Sequence, residues 1–187
     1  MVARLRYAAQ EFTAWAAAEY GNEHDAALLV GQDNLRRYRP VEQLRLRLPG
    51  DCPVDDILVA VFAAVALGCR PVLSVEPNCP VGLVSLLEAL THDWAGRIEL
   101  VEEDSAGLAD EIRHGFVDRV RVPAGYRADD DVLQACREAF VPLVDQPIVA
   151  SGRVEPLWYV REQSLSVDYH RYGNLGRRAG EIRRPVD

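Results

Sequence analysis

Between residues 43 and 150 the chain alternates short apolar strand patterns with helical ones, and this rhythm sharply limits the folds open to it. Residues 43–48 have the period of a strand: Leu44, Leu46 and Leu48 point one way, Arg45 and Arg47 the other. Pro49-Gly50-Asp51 breaks this run, and Pro53 stands where a first-turn proline belongs in a helix over residues 54–67. Gly68 closes that helix, and residues 71–75 form a short buried strand. The same pair of patterns recurs as helix 82–94 with strand 97–101, then helix 105–114 with strand 117–122. Gly96 and Gly115 end these two helices, and Asp104 or Ser105 caps the second. Asp129, Asp130 and Asp131 open a helix over residues 129–140, since acidic side chains favour a helix N-terminus. Residues 141–150 contain a last buried strand. Strands separated by helices of this length require crossover connections. The fold class is therefore α/β: an open doubly wound, Rossmann-like, mostly parallel sheet of about five strands.

The two ends differ from this middle. Residues 5–20 form a helix with Leu5, Ala8, Ala9, Phe12, Trp15, Ala16 and Tyr20 on one face, and Gly21-Asn22, a pair that tolerates left-handed backbone angles, ends it. Residues 23–40 are polar and read as a connecting arm outside the core. Residues 157–169 have strand character, followed by an arginine-rich stretch, so this end reads as an extended tail made to pair with something else. Three parts follow: helix and arm (1–42), Rossmann-like α/β domain (43–152), and extended docking strand with tail (153–187).

Composition excludes several functions. The formal net charge is −8, which repels nucleic acid and anionic membrane. The longest apolar run, residues 57–67, is half of a membrane span, and no signal-peptide pattern opens the chain, so a cytoplasmic location is expected. All 21 basic residues are arginine, which excludes Schiff-base and phosphate-loop lysine chemistry. The turn at residues 49–53 lacks the spaced glycines of a dinucleotide fingerprint, and Asp51, Asp55 and Asp56 put negative charge where a pyrophosphate would lie. Glu76 after the second strand is by itself a weak ribose-binding sign. Cys52 and Cys79 precede helices, but Cys52 is beside three acids and Cys79 has no histidine near it, so both read as inert. Cys69 and Cys136 read as buried small hydrophobes. His24, His92, His114 and His170 show no ligand spacing, and the acids at 102–104 and 129–131 read as solvated helix caps. No catalytic, cofactor or metal site is therefore expected.

The tail carries the one sharp motif. Arg161 and Glu162 lie on its strand with Ser164 and Ser166. His170, Arg171, Tyr172, Gly173 and Asn174 then bring five specialised residues together, with Gly173 allowing a tight turn and Asn174 able to bond a passing backbone. These nine residues are the candidate docking site.

The run REQSLSVDYHRYGN (161–174) resembles the extreme C-terminus of proline utilisation A and related pyrroline-carboxylate dehydrogenases, bifunctional enzymes of proline catabolism. GNEHDAALLVGQDNLRRYRPVEQLRLRLPGD (21–51) and VDDILVAVFAAVALGCRPVLSVE (54–76) are similar to the lead-in, first helix and second strand of that family's C-terminal aldehyde-dehydrogenase-superfamily-like domain. Residues 80–150 match in rhythm only. The resemblance implies a parent reaction, the NAD-dependent oxidation of L-glutamate γ-semialdehyde to glutamate, in an enzyme that also carries FAD. It implies that this domain is itself non-catalytic, supports assembly as a homo-oligomer, and packs its tail near the catalytic aldehyde dehydrogenase domain of the same or a neighbouring chain, sealing the tunnel that carries the intermediate. Many members end in an Ala/Gly-rich run where this chain has His170-Arg171-Tyr172. Cys136 in "QAC" echoes the family's nucleophile, but it lies in a helix followed by Arg137-Glu138 and is rejected as one. The alternative is a free-standing small-molecule or nucleotide-binding module whose degenerate site is lined by Glu76 and residues 77–82.

Overall fold

The structure, a computed structural model, describes residues 1–77, 79–94, 96–170 and 173–184. Five strands form one parallel sheet: β2 (Leu44–Leu48), β3 (Val72–Val75), β4 (Glu99–Glu102), β5 (Arg119–Arg121) and β6 (Leu143–Val144), with β1 (Gln32–Pro40) lying outside it. Their order is β4-β3-β2-β5-β6, so the chain starts at the centre, fills one side, and returns to fill the other. This is the doubly wound arrangement expected, and its topological switch lies between β2 and β5.

Helices α1 (Val2–Trp15), α2 (Val54–Ala66) and α3 (Val81–Thr91) cover one face, packing Phe12, Ile57, Val61 and Leu87 against Leu46, Leu73 and Val75. Helices α4 (Ser105–Arg113) and α5 (Asp130–Glu138) cover the other, where Leu108, Ile112 and Val132 meet Val120 and Val122. Asp104 is the cap of α4, its Oδ1 accepting from Gly107 N at 2.8 Å. Gly68 and Gly115 end α2 and α4 with φ of +82° and +79°, where a Cβ would be strained.

The structure goes beyond the sequence reading in three places. Arg45 and Arg47, which point away from the leucines of β2, are buried: helices cover both sides of β2, leaving them 8% and 1% exposed. Arg47 is tolerated there because its Nη1 donates to Ser74 Oγ and Glu103 O, and Arg45 because the carboxylates of Glu103 and Glu111 lie 3.3 and 3.4 Å away. The first helix ends at Gly21 as expected, but through a wider turn at Ala16–Tyr20 and with Gly21 at φ −86° rather than in left-handed backbone. The arm is more than a connection. It contains β1 (Gln32–Pro40), which pairs antiparallel with β7 (Val160–Asp168) along its whole length. The tail strand thus finds its partner within its own chain.

This two-stranded ribbon is fastened to the sheet at its root. Arg119 Nη1 donates to Trp158 O at 2.6 Å and Val160 O at 3.1 Å, and Val41 N donates to Tyr159 O at 2.9 Å. Beneath these, Glu155 is fully buried and accepts from Arg121 Nη2, Tyr159 Oη and Val149 N.

Candidate functional site

In a doubly wound sheet, ligands meet the carboxyl ends of the strands at the switch point. Here that crest is built from the turn after β2, the loops after β3 and β4, and residues 123–129 after β5. Arg47, at the end of β2, forms the floor. Its Nη2 is 3.5 Å from Glu76 Oε1, which also accepts from Tyr126 Oη at 2.8 Å. Burial pushes the Tyr126 hydroxyl pKa up; Arg47 opposes this and Glu76 adds to it, so the ring keeps its proton. Arg47, Glu76 and Tyr126 therefore close across the middle of the crest, between a crevice of about 460 Å³ and a second of about 360 Å³.

These residues do not fit a dinucleotide. Pro80 Cδ lies 2.9 Å from where a Cβ on Gly50 would stand, so the loop after β3 closes on the turn a pyrophosphate would approach. Asp55 and Asp56 occupy the first turn of α2, both paired with Arg4 at 2.6 Å. Anionic groups at that N-terminus compete with phosphate for the same positive field.

The thiols are held in their neutral form. Burial, then Asp56, Asp51 and Asp55, pushes Cys52 up to about 12, and burial pushes Cys69 up to about 11. Burial also raises Cys136, and burial with Glu76 and Glu102 raises Cys79. A thiol so placed is a poor nucleophile at neutral pH. Among the described residues, no three His, Cys, Asp or Glu side chains gather as metal ligands.

The candidate docking residues are spread along β7 and the turn after it. Arg161 is exposed and pairs with Asp118 at 2.7 Å. Glu162 and Ser164 are exposed opposite Tyr38 and Arg36, and Ser166 Oγ donates to Asn34 Oδ1. His170 Nδ1 is 3.0 Å from Gly31 O, and Asn174 Oδ1 accepts from Gly176 N. Gly173 has φ +82°, as a tight turn requires. Arg171 and Tyr172 lie outside the described residues.

Sequence reasoning missed the clip that holds the tail. Arg178 donates to both carboxylate oxygens of Asp33, at 2.7 and 2.8 Å. Arg183 reaches Asp25 and Asp33, both at 2.7 Å. The Arg178 guanidinium lies 3.8 Å from the ring centroid of Tyr169. The backbone adds Arg184 N to Leu28 O at 2.6 Å. Two acids in the arm and two arginines in the tail were the available signal, but their separation of some 150 residues hid it.

No family model and no curated protein matches the sequence. Solved structures do match the fold. Proline utilization A from Corynebacterium freiburgense superposes with a TM-score of 0.60 and 21% identity over 91% of this chain. A second proline utilization A, solved with proline bound in remote sites, gives 0.62 and 19% over 77%. An aldehyde dehydrogenase from Bacillus cereus, in complex with NAD+, gives 0.56 and 16% over 70%. The chain spans only 14%, 15% and 27% of those proteins, respectively. At these identities the likeness is one of fold: these proteins share the Rossmann-like α/β sheet expected from the sequence.

Proposed function

We propose that this chain is the non-catalytic C-terminal domain of an NAD-dependent L-glutamate γ-semialdehyde dehydrogenase of proline catabolism, a part of a larger cytoplasmic bifunctional enzyme. Its roles are assembly of a homo-oligomer and closure of the active site and tunnel. In this reading residues 1–42 are helix and arm, 43–152 the sheet domain, and 153–187 the docking strand and tail. NAD and FAD belong to other domains of the parent enzyme.

The observation that carries this reading is β7. It holds the motif residues 161–168 on an exposed strand, hydrogen bonded to β1 and anchored at its root by Arg119. A strand so presented has main-chain groups and side chains ready for a neighbouring surface. A crest closed by Arg47, Glu76 and Tyr126 is consistent with a sheet relieved of nucleotide binding. A lid of this kind acts by excluding water from a reactive intermediate and by holding the catalytic site closed.

Deleting residues 157–187 from the full enzyme tests this. Coupled conversion of proline to glutamate should fall, and the oligomer measured by light scattering should become smaller. Unchanged flux with an unchanged oligomer would overturn the proposal.

A further inference from the structure

We infer that the larger crevice at the crest of the sheet is a binding site for a small zwitterion, a molecule carrying both an ammonium and a carboxylate group. This goes beyond the assembly reading and does not depend on it. The crevice is lined by groups of both signs whose bonding capacity is left over. Arg47 is 1% exposed, yet its Nε has no hydrogen-bond partner, and its Nη2 stands a long 3.5 Å from Glu76 Oε1. A buried guanidinium with unused donors favours an anionic oxygen beside it. Ser105 and Ala106, in the first turn of α4, line the same crevice, and N–H groups there have no intrahelical acceptor. Arg127 stands exposed at the rim. Together these groups suit a carboxylate.

The acceptors are equally unspent. Glu76 engages both Tyr126 and Arg47 through Oε1, leaving Oε2 for another donor. Asp129 borders the crevice and makes no cap hydrogen bond to α5. These suit an ammonium. Formal charges in the lining are two positive (Arg47, Arg127) against three negative (Glu76, Asp104, Asp129). A simple anion would meet three carboxylates and a simple cation two guanidinia, each at a Coulomb cost. A ligand with both charges, some ångströms apart, meets neither penalty.

Titration calorimetry on the 187-residue chain at fixed ionic strength tests this, with L-alanine and 4-aminobutyrate as zwitterions of different charge separation. Acetate and methylammonium are the single-charge controls. At least one zwitterion should bind saturably, and both controls about tenfold more weakly or less, the loss of one charge-assisted contact. Backbone amide NMR shifts should be confined to residues around 76, 105–106 and 126–129. Arg127→Gln, at an exposed position that leaves the fold intact, should weaken the zwitterion by a similar factor. Equal binding of acetate, no saturation by either zwitterion, or an indifferent Arg127→Gln variant would each overturn the inference. None of these results bears on the deletion experiment above.

Discussion

Arg121 and Glu155 are 1% and 0% exposed, a charge pair taken fully out of water. Such a pair persists only when its remaining polar atoms are matched, and here they are. Arg121 Nη1 donates to Val122 O and Gln146 O, while Glu155 takes the Tyr159 hydroxyl at 2.7 Å and Val149 N at 3.0 Å. Burial beside Glu155 drives the Tyr159 hydroxyl pKa well above its ordinary value, so it stays a donor. Removing one partner strands the other charge. Glu155→Gln should therefore cost about 3–5 kcal/mol, read as a lower urea midpoint with an unchanged slope. The double variant Arg121→Met with Glu155→Met should recover part of that loss, because no lone charge is left behind. A cost below about 1 kcal/mol for Glu155→Gln would show that the pair is not coupled as its distances indicate.

The strands and helices of the sheet were legible because period 2 and period 3.6 alternate cleanly and proline, glycine or aspartate marks most of the joints. Where the sequence stopped short, long-range partners decide the outcome. The alternating LRLRL of β2 sets which way Arg45 and Arg47 point, but α4 and the loop after β4, far along the chain, make them core residues. The arm looked like a connection because the residues that make β1 a strand lie more than a hundred positions away, in β7. The crest was legible as three acids, Glu76 and a lack of glycines, without its other partners. That Arg47, Glu76 and Tyr126 meet there is a product of sheet order. The tail clip belongs to the same class, and its chemistry gives it a pH dependence. Asp25 is held below the usual carboxylate range by the Leu28 N–H and then by Arg183, and Asp33 by Arg178 and then Arg183. Groups with depressed folded-state pKa values stabilise above their unfolded values, near 4, and that contribution is lost as pH falls through the depressed ones. Residues 173–184 should thus lose hydrogen-exchange protection below about pH 4, before the sheet does. Asp33→Asn should release them at neutral pH. Equal protection of the tail in acid, or in the Asp33→Asn chain, would show that the ion pairs do not hold it.

At the scale of the whole molecule, two unequal bodies share one chain. The sheet has helices on both faces and two apolar clusters, so its strands open only when the domain unfolds. The ribbon is two-stranded, largely exposed, and joined to the sheet mainly near its root, through Arg119, Tyr159 and the Arg161–Asp118 pair. An isolated two-stranded ribbon is marginal in water. Its amides should therefore exchange through a local opening well below the global unfolding free energy, faster than those of β2, β3 and β5 by about tenfold or more. If β7 docks on a catalytic domain, adding that domain should slow exchange across residues 160–168 and leave the sheet amides unchanged, because binding stabilises only what it touches. Exchange in the ribbon that already matches the sheet would mean that root anchoring and the tail clip suffice without a partner. Slowing confined to the crest instead would move the contact surface from the ribbon to the crevice around Arg47.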